Sequence, residues 1–177
     1  MGRNVEIKAR ASDFEAQRNA AGKLAGCRPE VLAQEDTFFR TRRGRLKLRS
    51  FGEDRGELIY YERENKEAPT ESRYMILPTR EAPALRAALS KALSVSGTVH
   101  KTREVYRVAG TRIHFDDVQE LGRFIELEAV LGPDESLDQG RARVAELAAA
   151  LAISDEDLID RAYIDLLLES RDEESDP

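Results

Sequence analysis

Side chains from Asn4 to Arg10 alternate in character along "NVEIKAR". Asn4, Glu6, Lys8 and Arg10 are polar, and Val5, Ile7 and Ala9 between them are apolar. This is the period of a strand with one face on a core. The alternation recurs down the chain. Arg45, Lys47 and Arg49 interleave with Leu46 and Leu48; Arg112, His114 and Asp116 with Ile113 and Phe115; Glu126 and Glu128 with Ile125 and Leu127. Ile59, Tyr61 and Arg63 share one face, as do Lys101 and Arg103. Strands are expected over 3–10, in a hairpin over 34–51 turned at Gly44, over 56–64 and 70–77, in a second Gly-turned hairpin over 97–118, and over 122–131.

Helical spacing appears in four places. Over 12–25, Phe14, Ala21 and Leu24 recur at helical intervals, with Ser12 expected as N-cap and Glu15 at the capping-box position. The other helices are expected over 80–93, 134–151 and 154–170. About eight strands in near-adjacent hairpins with four helices give an α+β fold with antiparallel pairing, since a doubly wound sheet would alternate strands and helices regularly.

Six strands place charge on one face and apolar residues on the other. An open sheet with one wet face accounts for any single strand. Jointly the pattern is more ordered, with cations gathered on several strands and acids on the first and last. An eight-stranded antiparallel barrel or tunnel turns the charged faces inward while flanking helices cover the apolar exterior. So many like charges are tolerable only in a wet lumen that holds a polyanion.

Composition narrows the setting. The chain has 177 residues, 41% of them hydrophobic, enough for one domain with a real core, expected over 1–168. Lys and Arg outnumber Asp and Glu 24 to 20 up to residue 130, whereas beyond it the count is 4 to 14. Residues 169–177 are expected to form an acidic, disordered tail. No long apolar run or signal-like N-terminus points to a membrane or to secretion. One cysteine, Cys27, allows no intrachain disulfide, and a cytoplasmic location is expected. With two His and one Cys a structural zinc site lacks its ligands. No P-loop pattern occurs. The acidic net charge and inward cations speak against nucleic acid.

A triphosphate is the natural polyanion here, because Arg forks and Lys point charges bind its oxygens from several directions. Glu6, Glu126 and Glu128 would be useless against phosphate alone, but they suit a hard divalent cation bridging carboxylate and phosphate.

"VEIKAR", "GRLKLR", "KTR" at 101–103 and above all "RIHFDDVQELGRFIELE" resemble the CYTH superfamily over about residues 3–130. That superfamily includes class IV adenylyl cyclases, thiamine triphosphatases and inorganic triphosphatases, built on a triphosphate tunnel. The resemblance implies Mg2+ or Mn2+ at Glu6, Glu126 and Glu128. It also implies triphosphate contacts from Lys8, Lys47, Arg49, Arg63, Lys101, Arg103 and Arg112, and Arg10, on the same strand face as Lys8, is expected to bind the triphosphate with them. Glu6, Lys8 and Asp116 are the expected catalytic groups, Asp116 as a further metal ligand or as the group that orients a cation. The chain departs from the Glu-x-Glu-x-Lys signature at Asn4, which removes one negative charge.

The expected function is a metal-dependent enzyme acting on a small-molecule triphosphate: ATP, inorganic triphosphate or thiamine triphosphate. A cyclase-like conversion of ATP to cyclic AMP and pyrophosphate is preferred. Hydrolysis of an inorganic or organic triphosphate is the alternative, and a non-catalytic phosphometabolite-binding module the second. A homodimer is common in the resembled family. His114 shares the inward parity, as a proton carrier or a hydrogen-bonded structural group. His100 has the outward parity, and Tyr61 either lines the lumen or packs.

Overall fold

The computed structural model describes residues 2–52, 54–63 and 68–174. Eight strands, β1 (Gly2–Arg10), β2 (Glu30–Phe39), β3 (Arg45–Ser50), β4 (Gly56–Arg63), β5 (Thr70–Thr79), β6 (Val95–Val108), β7 (Thr111–Val118) and β8 (Gly122–Val130), close into an antiparallel barrel. Around the barrel they run β1-β5-β4-β3-β2-β6-β7-β8. Four helices flank it: α1 (Phe14–Ala25), α2 (Ala82–Ala92), α3 (Leu137–Ala150) and α4 (Tyr163–Glu174). None of the helices described is long and apolar enough to cross a membrane.

The outward halves of the alternating strands make the larger core. Val5, Ile113, Phe115, Ile125 and Leu127 pack against Ala21 of α1 and Val144 and Leu147 of α3. Phe115 meets Phe14 and Tyr106 edge-on, with ring centroids at 5.4 and 5.8 Å. Each such side chain removed from water contributes about 1.5–3 kcal/mol. The β6–β7 hairpin turns through Ala109 and Gly110, both at positive φ (45° and 75°), the two-residue turn whose twist matches the strands.

Three expectations are corrected. Asp13, not Ser12, caps α1, accepting from the backbone N–H of Ala16. The helix expected over 154–170 is broken. A short 3-10 turn spans Asp155–Asp157, and Leu158 then bridges to Ala9 while the Ile159 N–H donates to the Lys8 carbonyl at 2.9 Å. Pairing with the end of β1 diverts this segment from helical geometry, and α4 begins only at Tyr163. The disordered tail expected from 169 is helical as far as Glu174, and residues 175–177 lie outside the described residues.

α3 lies tight on β1. A Cβ added at Gly140 would meet Leu131 Cδ2 and Val5 Cγ2 at 2.8 Å each, and Val5 is fully buried. In an exposed helix Gly→Ala would gain about 1 kcal/mol. Here Gly140→Ala should instead cost about 1–3 kcal/mol through overpacking, read as a lower urea midpoint. A raised midpoint would refute this close docking.

Candidate triphosphate-binding cavity

Strand register gathers the inward residues. Glu6 lies opposite Glu128 and Lys8 opposite Glu126 across β1–β8. His114 faces Glu126 and Arg112 faces Glu128 across β7–β8. Arg103 faces Asp116, Arg49 faces Asp36, and Gln34 faces Lys101 on neighbouring pairs. The lumen is a cavity of about 690 Å³ lined by ten Lys and Arg against six Asp and Glu. That surplus of cations is what a polyanion needs.

One end of the lumen is closed. Phe38, Val99, Val118 and Phe124 from the strands pack on Ala162, Tyr163, Ile164 and Leu167 at the start of α4. Gly97 makes room, since a Cβ there would meet Ile164 Cδ1 at 2.7 Å. Above this floor Lys8 Nζ sits 3.7 Å from the Tyr163 ring centroid and donates to the Arg161 carbonyl at 3.1 Å.

Two buried acids organise the cations. Asp116 accepts from Arg103 Nε and Nη2 at 2.6 and 2.5 Å, from Lys101 Nζ at 3.2 Å and from the Tyr163 hydroxyl at 2.8 Å. Asp36 accepts from Lys47 at 2.8 Å and from Arg49 Nε and Nη2 at 2.7 and 2.8 Å. Burial pushes both carboxyls up, but the adjoining cations outweigh it and hold both well below the usual carboxylate range. Burial, reinforced by repulsion from Arg103, brings Lys101 down to about 7 despite Asp116. Burial also lowers His114.

The expected metal acids are shared with cations. Glu126 pairs with Lys8 at 3.3 Å and with Arg103, and Glu128 accepts from Arg112 at 2.8 and 2.6 Å. Glu6 is engaged by Arg63 at 3.2 Å. Burial pushes the Glu6 carboxyl up, and like-charged Glu126 and Glu128 add to it against Arg63. Among the described residues no group of three or more His, Cys, Asp or Glu side chains converges into a ready metal cluster. The donor chemistry nevertheless suits a hard cation at the β1–β8 seam. Asn4 donates Nδ2 to Glu128 at 2.5 Å, while its buried Oδ1 has no hydrogen-bond partner. That amide oxygen, Glu6 and Glu128 are all oxygen ligands on one side of the lumen.

Other cavity-lining groups are likewise unsatisfied. Gln34 Oε1 and Arg63 Nη2 are buried without a hydrogen-bond partner, whereas Arg63 Nε and His114 Nδ1 have only the ion-pair contacts to Glu6 and Glu126 at 3.2 and 3.7 Å. Buried polar groups are nearly always paired, so such a set around one cavity is what a polar ligand would complete.

Of the residues expected at the site, Glu6, Lys8, Lys47, Arg49, Arg63, Lys101, Arg103, Arg112, Glu126 and Glu128 line this cavity, with Asn4, Tyr61 and His114. Two do not. Arg10 is exposed, its guanidinium 5.3 Å from the Phe124 ring centroid, because the closed end lies between it and the lumen. Asp116 is fully buried behind Lys101 and Arg103 and outside the lining, so it orients cations rather than touching a ligand. His100 is exposed beside Glu35, as its parity implied. Asp36 and Tyr163 are structurally central yet unanticipated. Asp36 could have been found by extending the alternation back through Phe38 and Gln34 of the first hairpin arm. Tyr163 carried no such signal, being read as one residue of a continuous helix.

Comparison with known proteins agrees with this geometry. The CYTH domain family model matches residues 2–163. A Methanocaldococcus jannaschii protein with a provisional adenylate cyclase name is 32% identical over 68 residues, a match spanning 38% of this chain and 39% of that relative. The PH1012 protein of Pyrococcus horikoshii has a similar fold, with a TM-score of 0.81 at 22% identity, covering 92% of this chain and 98% of that one. A conserved Pyrococcus furiosus protein superposes with a TM-score of 0.79 at 21% identity, covering 92% and 99% of the two chains.

The depressed Lys101 has a measurable consequence. A polyanion entering the cavity favours the protonated amine and raises its pKa. Binding should therefore take up protons just above neutrality, and affinity should fall as pH rises from about 7. Calorimetric titration with inorganic triphosphate in EDTA at about pH 8, in two buffers of different ionisation heat, should show up to about one more proton taken up by the wild type than by Lys101→Met. Equal uptake would mean that Lys101 does not titrate on binding.

Proposed function

The chain belongs to the CYTH family, and from that premise we propose that it is a divalent-metal-dependent enzyme acting on a triphosphate in the barrel lumen. The preferred reaction is cyclase-like: the 3′-hydroxyl of ATP attacks the α-phosphorus and pyrophosphate leaves. The provisional cyclase name of the archaeal relative supports this choice over hydrolysis. The observation that carries the reading is a cation-rich cavity in which Asn4 Oδ1, Gln34 Oε1 and Arg63 Nη2 are buried without a hydrogen-bond partner.

The residues divide the work. Lys8, Lys47, Lys101, Arg49 and Arg103 stabilise negative charge on the leaving polyphosphate in a site whose dipoles are already placed. Asp36 and Asp116 keep those cations oriented. Asn4 Oδ1, Glu6 and Glu128 would hold Mg2+ or Mn2+, joined by Glu126 as phosphate oxygens compete for Lys8 and Arg103. When bound, the metal supplies Lewis-acid stabilisation and lowers the pKa of the attacking hydroxyl. Arg63 closes the belt, its Nε paired with Glu6 and its Nη2 left for a phosphate oxygen.

Purified protein incubated with ATP and Mg2+ or Mn2+, with products resolved by ion exchange, tests this reading. Cyclic AMP with pyrophosphate is expected. Orthophosphate would replace the cyclase by a hydrolase, and binding without any product would replace it by a non-catalytic module. Glu126→Gln should lower turnover by about a hundredfold or more while leaving the circular dichroism spectrum intact. An unchanged rate would remove Glu126 from the site.

A further inference from the structure

Three neighbouring strands set one imidazole against the acids of the seam. β7, β8 and β1 stand side by side in the barrel wall. His114 faces Glu126 in register, Glu126 faces Lys8, and Glu128 faces Glu6 on the next inward level. The ring lies along both acids of β8, with Nδ1 3.7 Å from Glu126 Oε2 and Nε2 3.8 Å from Glu128 Oε2. Both gaps are too long for hydrogen bonds. The side chain lines the cavity and is only 7% exposed, and its Nδ1 has no closer partner.

Neither packing nor phosphate accounts for this group. The apolar core takes Ile113 and Phe115 from the other face of β7, while His114 stands among charges. Two flanking carboxylates screen it from a polyanion and suit it to a cation. A histidine that donates Nδ1–H to a carboxylate carries its lone pair on Nε2, which is how such rings are aimed at metal ions. Glu126 stands at Nδ1 here, and Glu128, a proposed metal ligand, stands at Nε2. Lys8, Arg103 and Arg112 hold the same acids, so among the described residues these donors do not converge into a ready cluster. Sharing Glu128 between Arg112 and a divalent ion would bring carboxylate and imidazole onto that ion together.

We propose that His114 Nε2 is a further ligand of the divalent ion at the β1–β8 seam, oriented by Glu126 at Nδ1, and that it makes this site favour Mn2+ over Mg2+. The inference rests on the reading of the seam as a metal site and chooses between its two candidate ions. Mg2+ takes oxygen donors and dehydrates reluctantly. Imidazole nitrogen suits first-row transition ions better, with affinity rising along the series that begins at Mn2+. Asn4, Glu6 and Glu128 alone offer only oxygen, so the preference is carried by one residue and can be removed with it.

The test is pulsed electron paramagnetic resonance of the full chain with Mn2+ and inorganic triphosphate. Bound Mn2+ should show modulation from a directly coordinated imidazole nitrogen, and histidine labelled with the heavy nitrogen isotope should change its frequency. The labelling needs no variant, so it decides the matter whether or not a substituted chain folds. His100, the second histidine, is exposed beside Glu35, so His100→Gln should keep the signal and His114→Phe should lose it. The Mg2+ concentration that displaces half of the bound Mn2+ should be about tenfold or more lower in His114→Phe than in wild type. Equal displacement in the two proteins overturns the Mn2+ preference. Bound Mn2+ without a histidine nitrogen, or with one that survives His114→Phe, overturns His114 as a ligand and leaves the metal site in place. Mn2+ that stays free and hydrated overturns the metal site itself.

Discussion

The cations in this lumen coexist because two acids are buried among them. Lys47 and Arg49 share Asp36, and Lys101 and Arg103 share Asp116. Without those carboxylates a low-dielectric interior would force the amines to neutralise or the barrel to open. Lys101 shows how close the balance is. Even beside Asp116, burial and Arg103 bring it down to about 7. The lumen is therefore under-compensated, and a polyanion entering it, as proposed, would supply the charge that the fold has left out. Asp36 and Asp116 set the geometry of the forks, and the ligand sets their final charge state.

This arrangement ties the C-terminal helix to the site. Tyr163, the first residue of α4, donates its hydroxyl to Asp116 and lays its ring beside Lys8 and Lys101. Arg45, at the closed end of β3, reaches Asp165 on the same helix at 2.7 Å. Burial of the tyrosine, helped by the charges of Asp116 and Glu126, keeps the phenol well above its usual pKa, so it remains a donor. α4 thus serves as the floor of the binding cavity. It closes one end of the lumen with apolar packing and, on the proposed reading, would set the depth to which a phosphate chain reaches.

Much of this was legible because a barrel reads out alternation directly. Each inward parity taken from the sequence, at Glu6, Lys8, Lys47, Arg49, Arg63, Lys101, Arg103, Arg112, Glu126 and Glu128, corresponds to a residue lining the cavity. Parity fixes which face a side chain takes but not how far along the axis it lies. Arg10 and Asp116 have the inward parity and still miss the ligand space, one beyond the floor and one beneath two cations. The helix boundary at Tyr163 was not readable. It depends on Leu158 and Ile159 pairing with the end of β1, a contact between residues far apart in sequence.

Asn4 follows from the same electrostatic logic. A carboxylate at that position would face Glu6 and Glu128, in a seam where burial, with repulsion from Glu126 and Glu128, already pushes Glu6 up. The amide keeps an oxygen that can ligate a hard cation. It adds an N–H that restrains Glu128 at 2.5 Å when no cation is present. Relative to an acid, the exchange makes the lumen more positive by one charge, weakening its pull on a divalent ion and strengthening its pull on phosphate. On the proposed reading, a chain built this way would depend more on a triphosphate to bring a divalent ion in with it than on a metal site filled beforehand.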